Sequence, residues 1–497
     1  MSLGRRPPRP PGPAPAAPLR RRRSRPPGVG RRRARLALAL AALILVVAVI
    51  VSGIGGGGLP RPPAASVADS AGPGDPFAYR SSREADYVAR AIAGNANVLF
   101  VKSPGGVVAT AARVARYRSA VDRATAGTGI DPRLVEGLMF VESAGRADAI
   151  AGSDPAGAAG LTQILAATGQ TLLGMHIDLA RSRKLTRQIT DVENGVKAGR
   201  LAPLLARRAA ADDRFTPAKE IAATVRYLEI AKRQFGRADL AVESYHMGIG
   251  NLRQVLGNYN SGQPVPYAQL YFDSAPTHHA DAYRLLSGFG DDSWLYYWRV
   301  LGAVQLMRLY RHDRAELTRL NSLSVSGDAG AAVLHPTVRP FADPAALSDG
   351  YQSRQIVPLP SNAAALGLAF AANMGTGAAA VGAPRGLYRG LRPVALRLLI
   401  DLAAQVRRLS GVDAPLTIQS TVADEHYQQH TAGFTDPIAA TGWSFAIRRR
   451  YAGKAQAVAL QTLLDRLQSL NLITWSRGAT TIQVTVAADA AAWLRRA

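Results

Sequence analysis

No cysteine occurs anywhere in the 497 residues. Disulfides, thiol nucleophiles and zinc–thiolate sites are therefore excluded. Internal repeats are absent as well, and residues 1–35 contain no acidic side chain. Those positions carry twelve arginines, which leaves +13 of the formal net charge of +25 for everything after them. A basic, proline-rich tail of this kind cannot bury a core and is expected to stay without fixed structure. Flanking of a membrane segment explains its charge, so no nucleic-acid partner is needed.

What the chain does have is one long apolar run. Residues 36–54, LALALAALILVVAVIVSGI, are uncharged over 19 positions, close to the ~20 that cross a bilayer core. A cleaved signal peptide is the rival reading, but its apolar region usually spans ~7–15 residues behind a short basic start. Here the run is longer and the lead far longer, so an uncleaved single-pass anchor is expected. The preceding arginines then place the N-terminus in the cytoplasm and the rest of the chain outside the membrane.

Composition divides the remainder. Residues 55–83 are rich in Gly, Pro, Ala and Ser and read as a linker. Residues 84–321 are mostly helical in pattern, with strand-like alternation scarce. Residues 322–385 show turn chemistry and little periodicity and read as a second linker. Residues 386–497 alternate helix-like runs with the β-like APLTIQST and a hairpin pattern turning at Arg477-Gly478. The expected fold class is mainly α: a helical domain behind the membrane helix, followed by a small α+β domain.

Two glutamates share one local wording. Glu142 lies in FVESAGRADAIAGSDPAGAAGLTQI, and Glu243 in LAVESYHMGIGN. Asp131-Pro132 is a good helix start, with Asp as cap and Pro at the first turn. Leu134, Val135, Leu138 and Val141 recur at helical spacing, and Glu142 follows near the end of that apolar stripe. Burial and the negative end of the helix dipole would both raise its pKa, as a general acid near neutral pH requires. The following loop is rich in glycine and alanine, which permits close backbone approach to a ligand.

Glu142-Ser143, then Ser153, then Gly157-Ala158-Ala159-Gly160-Leu161-Thr162-Gln163 resembles the signature of the lytic transglycosylases of the soluble type. Tyr227-Leu228 and Ser244-Tyr245-His246 match that family's later Tyr-Leu and Ala-Tyr-Asn elements. The resemblance covers residues 129–257. It implies a lysozyme-like helical domain that cleaves the β-1,4 bond between N-acetylmuramic acid and N-acetylglucosamine, with a 1,6-anhydro product. It further implies Glu142 as the catalytic group and Ser143, Ser153, Gly160, Thr162, Gln163, Tyr245 and His246 as substrate-binding residues. Tyr245 is also placed to hydrogen-bond the acid. Three departures stand out: a longer loop after Glu142, a long stretch from 168 to 215, and His246 in place of Asn.

Asp148 and Asp154, in the polar loop, are the alternative carboxylates for a hydrolytic muramidase; a non-catalytic glycan-binding scaffold is the other reading. Glu243 is expected to be structural or solvated, with Arg237 or Arg253 as partners. The last segment resembles zinc D-alanyl-D-alanine carboxypeptidase-like domains, but Ala423, Ala439, Ala446 and Ile482-Gln483 stand where the arginine and metal ligands would be. A metal-free unit binding a stem peptide or an envelope protein is expected there. His426 and His430, at i, i+4 spacing, lack a His-Glu-x-x-His context, and the pair His278-His279 is equally weak. No cofactor and no metal are expected.

Overall fold

The computed structural model describes residues 77–496, apart from 197, 199, 290–291 and 326–337. The expected basic tail and membrane anchor lie outside the described residues. Among the described residues no helix is long and apolar enough to cross a membrane.

The helical body is built around α1 (Pro132–Ser143). Its start follows from sequence: Pro132 occupies the first turn, and the Asp131 carboxylate accepts the Arg133 N–H at 2.8 Å. Every residue from 135 to 140 is buried, so α1 is surrounded rather than packed on one stripe. It stops at Ala144 and Gly145, both with positive φ, where Gly145 N–H returns to the Met139 carbonyl at 3.1 Å. A Cβ on Gly145 would lie 2.8 Å from the Val114 nitrogen, so this end needs glycine.

After α1 come two very short antiparallel strands, β1 (Ala158–Ala159) and β2 (Ile164–Leu165). The Gly-Leu-Thr-Gln sequence forms the turn between them. The long stretch from 168 to 215 contains the helices Leu179–Glu193 and Leu201–Ala211, which pack on each other. Beyond it lie α2 (Pro217–Phe235), α3 (Ala238–Met247) and α4 (Tyr296–His312), with shorter helices between α3 and α4. Helices α1 and α4 meet closely because Gly137 has no side chain: a Cβ there would sit 2.8 Å from the Val300 carbonyl oxygen.

The C-terminal unit carries a pair of short strands, β3 (Val357–Pro358) and β5 (Gly390–Leu391), and a five-stranded sheet. The sheet strands are β4 (Leu368–Phe370), β6 (Leu416–Ser420), β7 (Ser444–Arg448), β8 (Ile473–Arg477) and β9 (Thr481–Val486), in the order β4-β6-β7-β9-β8. Only β4 and β6 run parallel. The β8–β9 hairpin turns where expected, with Gly478 N–H bonded to the Thr481 carbonyl at 2.9 Å. Helices α5 (Pro393–Ser410) and α6 (Lys454–Ser469) pack together against the sheet.

Two stretches expected as linkers contain ordered structure. Phe77 is fully buried and Ser81–Arg83 is a 3-10 turn, so folded chain precedes residue 84. The segment 338–385 supplies the helix Pro344–Gln352 and the edge strand β4. Its strands are only two or three residues long, too short for periodicity to mark.

The helical body and the α+β unit share one buried apolar cluster, running from Phe77 to Leu494. Polar contacts cross the seam: Tyr271 Oη with Ser469 Oγ at 2.8 Å, Tyr283 Oη with Thr462 Oγ1 at 2.7 Å, and Arg466 Nη2 to the Ser274 carbonyl at 2.7 Å. The Arg83 guanidinium lies 3.8 Å from the centre of the Trp493 ring.

Candidate active site

Glu142 is the penultimate residue of α1 and is half-buried. Its Oε1 accepts a hydrogen bond from Tyr296 Oη at 2.6 Å. Burial pushes the carboxyl up to about 7, and the tyrosine bond pulls the other way. The dipole argument made from sequence does not carry over. Arg146 Nε donates to the Ser143 carbonyl at 3.0 Å and Arg113 Nε to the Ala144 carbonyl at 2.8 Å, so two cations meet the negative end of α1.

Tyr296 was not legible in the sequence. It opens α4, 154 residues from Glu142. The His246 ring stacks on it, with centroids 5.0 Å apart and planes 24° from parallel. His246 Nδ1 lies 2.8 Å from Ser293 Oγ. Glu243 completes this support: its Oε2 accepts the Tyr297 N–H at 2.9 Å. Leu295, the residue before α4, offers no side-chain cap, so a buried carboxylate from α3 satisfies one of the helix's orphan donors. Glu243 is thus structural. Arg237, one of its expected partners, pairs instead with Asp239 at 3.0 Å, and Glu243 contacts the backbone of α4 and the Tyr267 side chain.

The Gly-Leu-Thr-Gln turn is held from beneath. Glu220, fully buried on α2, accepts the Leu161 N–H at 2.5 Å and the Thr162 N–H at 2.8 Å. Burial pushes its carboxyl up to about 8, against these bonds and the Arg214 charge. Gly160 adopts φ +89°, and a Cβ there would fall 2.2 Å from the Arg214 carbonyl oxygen and 2.4 Å from Glu220 Oε1. The buried Arg214 side chain donates to the carbonyls of Pro155, Gly157 and Ile164 and pairs with Asp212 at 2.7 Å. It thereby ties the base of the inserted helices to the small-residue loop.

The residues expected to line the groove fall into two groups. Ser143, Gly160 and Thr162, expected to meet sugar, are buried in this structure, and the two side chains bond within the protein. Ser143 Oγ donates to the Leu161 carbonyl at 2.6 Å, and Thr162 Oγ1 contacts Glu220 and Thr224. Gln163 is nearly buried at φ +56° and donates to the Gly160 carbonyl at 2.8 Å. Ser153 is exposed, and Tyr245 and His246 are half-buried. Tyr245 does not bond the acid: its hydroxyl donates to the Thr162 carbonyl at 3.0 Å, and Tyr296 takes the role expected of it.

The other carboxylates are committed elsewhere or exposed. Asp154 is exposed and pairs with Arg183 at 2.8 Å, which holds its carboxyl low. Asp148 is exposed. Glu136 is fully buried on α1 between Arg118 and Arg311. In the C-terminal unit Ala423 N–H bonds the Ala439 carbonyl at 3.3 Å, and Ala446 lies opposite Gln483 on β7 and β9. None of the alanines supplies a metal ligand. His426 and His430 sit on an exposed helix face.

No curated protein matches the chain. The family model for the Transglycosylase SLT domain matches residues 119–265, a span that contains α1, the Gly-Leu-Thr-Gln turn, α2 and α3. The chain therefore carries a transglycosylase SLT domain, of a family of peptidoglycan lytic transglycosylases.

Proposed function

We propose that the protein is a membrane-anchored lytic transglycosylase that cleaves the β-1,4 bond between N-acetylmuramic acid and N-acetylglucosamine and leaves a 1,6-anhydro end. The observation that carries this reading is the isolation of Glu142: a carboxyl near half-protonation at neutral pH, with one phenol as its hydrogen-bond donor. Glu142 donates its proton to the leaving glycosidic oxygen. As a carboxylate it then takes the proton of the sugar's own C6 hydroxyl while that oxygen attacks C1. Because the substrate supplies its nucleophile, the reaction needs no second carboxylate of the kind ordinary glycosidases hold about 5–10 Å away. Intramolecular attack also gains from proximity. The Tyr296 hydroxyl supports the charge that appears on Glu142 midway.

The apolar run at 36–54 would tether this domain outside the cytoplasmic membrane, within reach of anionic wall polymer that suits its positive charge. The C-terminal unit would bind a stem peptide or an envelope protein. Two other readings remain distinct in outcome. A muramidase using Asp148 or Asp154 would yield reducing ends, and a glycan-binding scaffold would yield no cleavage.

Digestion of purified peptidoglycan, followed by mass analysis, separates them. The proposal expects products lighter than hydrolysed muropeptides by one water. Glu142→Gln is expected to abolish cleavage, at least about a hundredfold. Reducing ends from the wild type, or full activity in Glu142→Gln, would sink the proposal.

A further inference from the structure

We propose that Asp273, His278 and His279 form a binding site for a divalent transition-metal ion of the zinc class. The two histidines are adjacent in sequence, and the fold adds the carboxylate at the end of the helix Tyr267–Asp273. One ligand atom from each residue lies within 4.8 Å of the others. Asp273 Oδ1 is 3.2 Å from His278 Nδ1, and Oδ2 is 3.5 Å from His279 Nε2. Four-coordinate zinc, with bonds of about 2.0–2.1 Å, sets neighbouring ligand atoms about 3.4 Å apart. The two separations are close to that value but run to different oxygens of Asp273, and His278 Nδ1 also lies 2.9 Å from the Asp273 backbone carbonyl, a bond that an incoming ion would replace. Imidazole and carboxylate together favour zinc, nickel or copper over magnesium or calcium.

The surroundings support a built site. The Tyr259 hydroxyl donates to Asp273 Oδ2 at 2.7 Å, the kind of outer bond that orients a ligating carboxylate. Its ring lies 4.1 Å from that of His279. The loop between is closed by reciprocal backbone bonds of Ala275 and His278, at 2.7 and 3.1 Å. His279 then adopts φ +49°, a left-handed conformation uncommon for a residue other than glycine. That turn brings both imidazoles to one carboxylate.

All three residues are half-buried. Asp273 and His278 border a cavity of about 40 Å³ at the seam, whose far wall includes Arg408, Thr462 and Arg466. The two guanidinium groups are turned to other acceptors, Gln405 Oε1 and the Ser274 carbonyl. Three protein ligands leave a fourth position for water. The ion would thus fasten the loop on which the α+β unit rests.

The test uses the full-length chain stripped of metal by a chelator. Titration with Zn²⁺ by calorimetry is expected to show saturable binding at about one ion per chain. Asp273→Asn and His279→Ala are each expected to weaken it by about tenfold or more. The double variant His426→Ala, His430→Ala should bind as the wild type does. Cobalt(II) bound to the wild type should give the visible absorption of a four-coordinate ion, a readout that needs no variant to fold. Absence of saturable binding or of the cobalt bands overturns the proposal. Unchanged affinity in Asp273→Asn or His279→Ala, or loss of binding in the His426/His430 variant, does so too.

Discussion

Glu142 and Tyr296 form a coupled pair whose chemistry is set by one hydrogen bond. The bond favours the carboxylate, so it lowers a pKa that burial raises, and the two together leave it at about 7. Tyr296→Phe removes it. The proton is then held more tightly, and the alkaline limb of the pH–rate profile is expected to move up by about one unit. A limb that stays put or moves down would contradict this assignment. Stability carries the same signature. The ordinary value of 4.5 applies to the unfolded chain, and the folded value is about 7. The stabilisation from protonated Glu142 is therefore complete below 4.5 and lost as pH rises through 7. Glu142→Gln is expected to melt higher than the wild type at pH 8, by at most about 2 kcal/mol given the open side of the residue, and to match it at pH 4.5. Melting curves at the two pH values check it. The place of Glu142 at the end of a buried helix was legible because the helix start and apolar stripe are local, while its expected role came from the family resemblance. Tyr296 and Glu220 were not, since nothing near either in sequence marks a partner brought in from a distant helix.

At the level of elements, the motif residues divide into those left exposed or half-buried, such as Ser153, Tyr245 and His246, and those that keep the turn in shape. Gly160→Ala places a methyl group against the Arg214 carbonyl and the Glu220 carboxylate, at a φ that disfavours side chains. A loss of about 3 kcal/mol or more is expected, read as denaturant midpoint, together with loss of cleavage. Glu243→Gln has a different outcome. The buried acceptor for Tyr297 N–H is kept in weaker form, so the protein should melt lower while retaining turnover at permissive temperature. Loss of turnover without loss of stability would instead give Glu243 a chemical role. The start of α1 followed from Asp131 and Pro132, and the β8–β9 hairpin from its alternation. The inward turn of Ser143 and Thr162 did not follow from sequence. A family motif is written the same way whether a position touches sugar or holds up the residue that does.

On the scale of the whole molecule, the two units share one buried core. Tyr271, Tyr283 and Arg466 bond across the seam, and a Cβ at Gly94 would lie 2.2 Å from the Gln468 carbonyl oxygen. Calorimetry of the chain from residue 77 onward is expected to show a single transition, with both units melting together. Two well-separated transitions would show that the seam is weak. Composition marked the change from helical body to α+β unit. It could not reveal the shared core, because apolar residues carry no label saying which neighbour will cover them.

The position of Tyr296 has a consequence for how such enzymes are assembled. It lies past residue 265, where the family match ends. A graft of the matched segment into a foreign scaffold would bring the carboxylic acid and the turn beside it, but not the phenol. Under the proposed reaction the acid would travel with the segment, whereas the phenol that sets its pH range would have to come from the host.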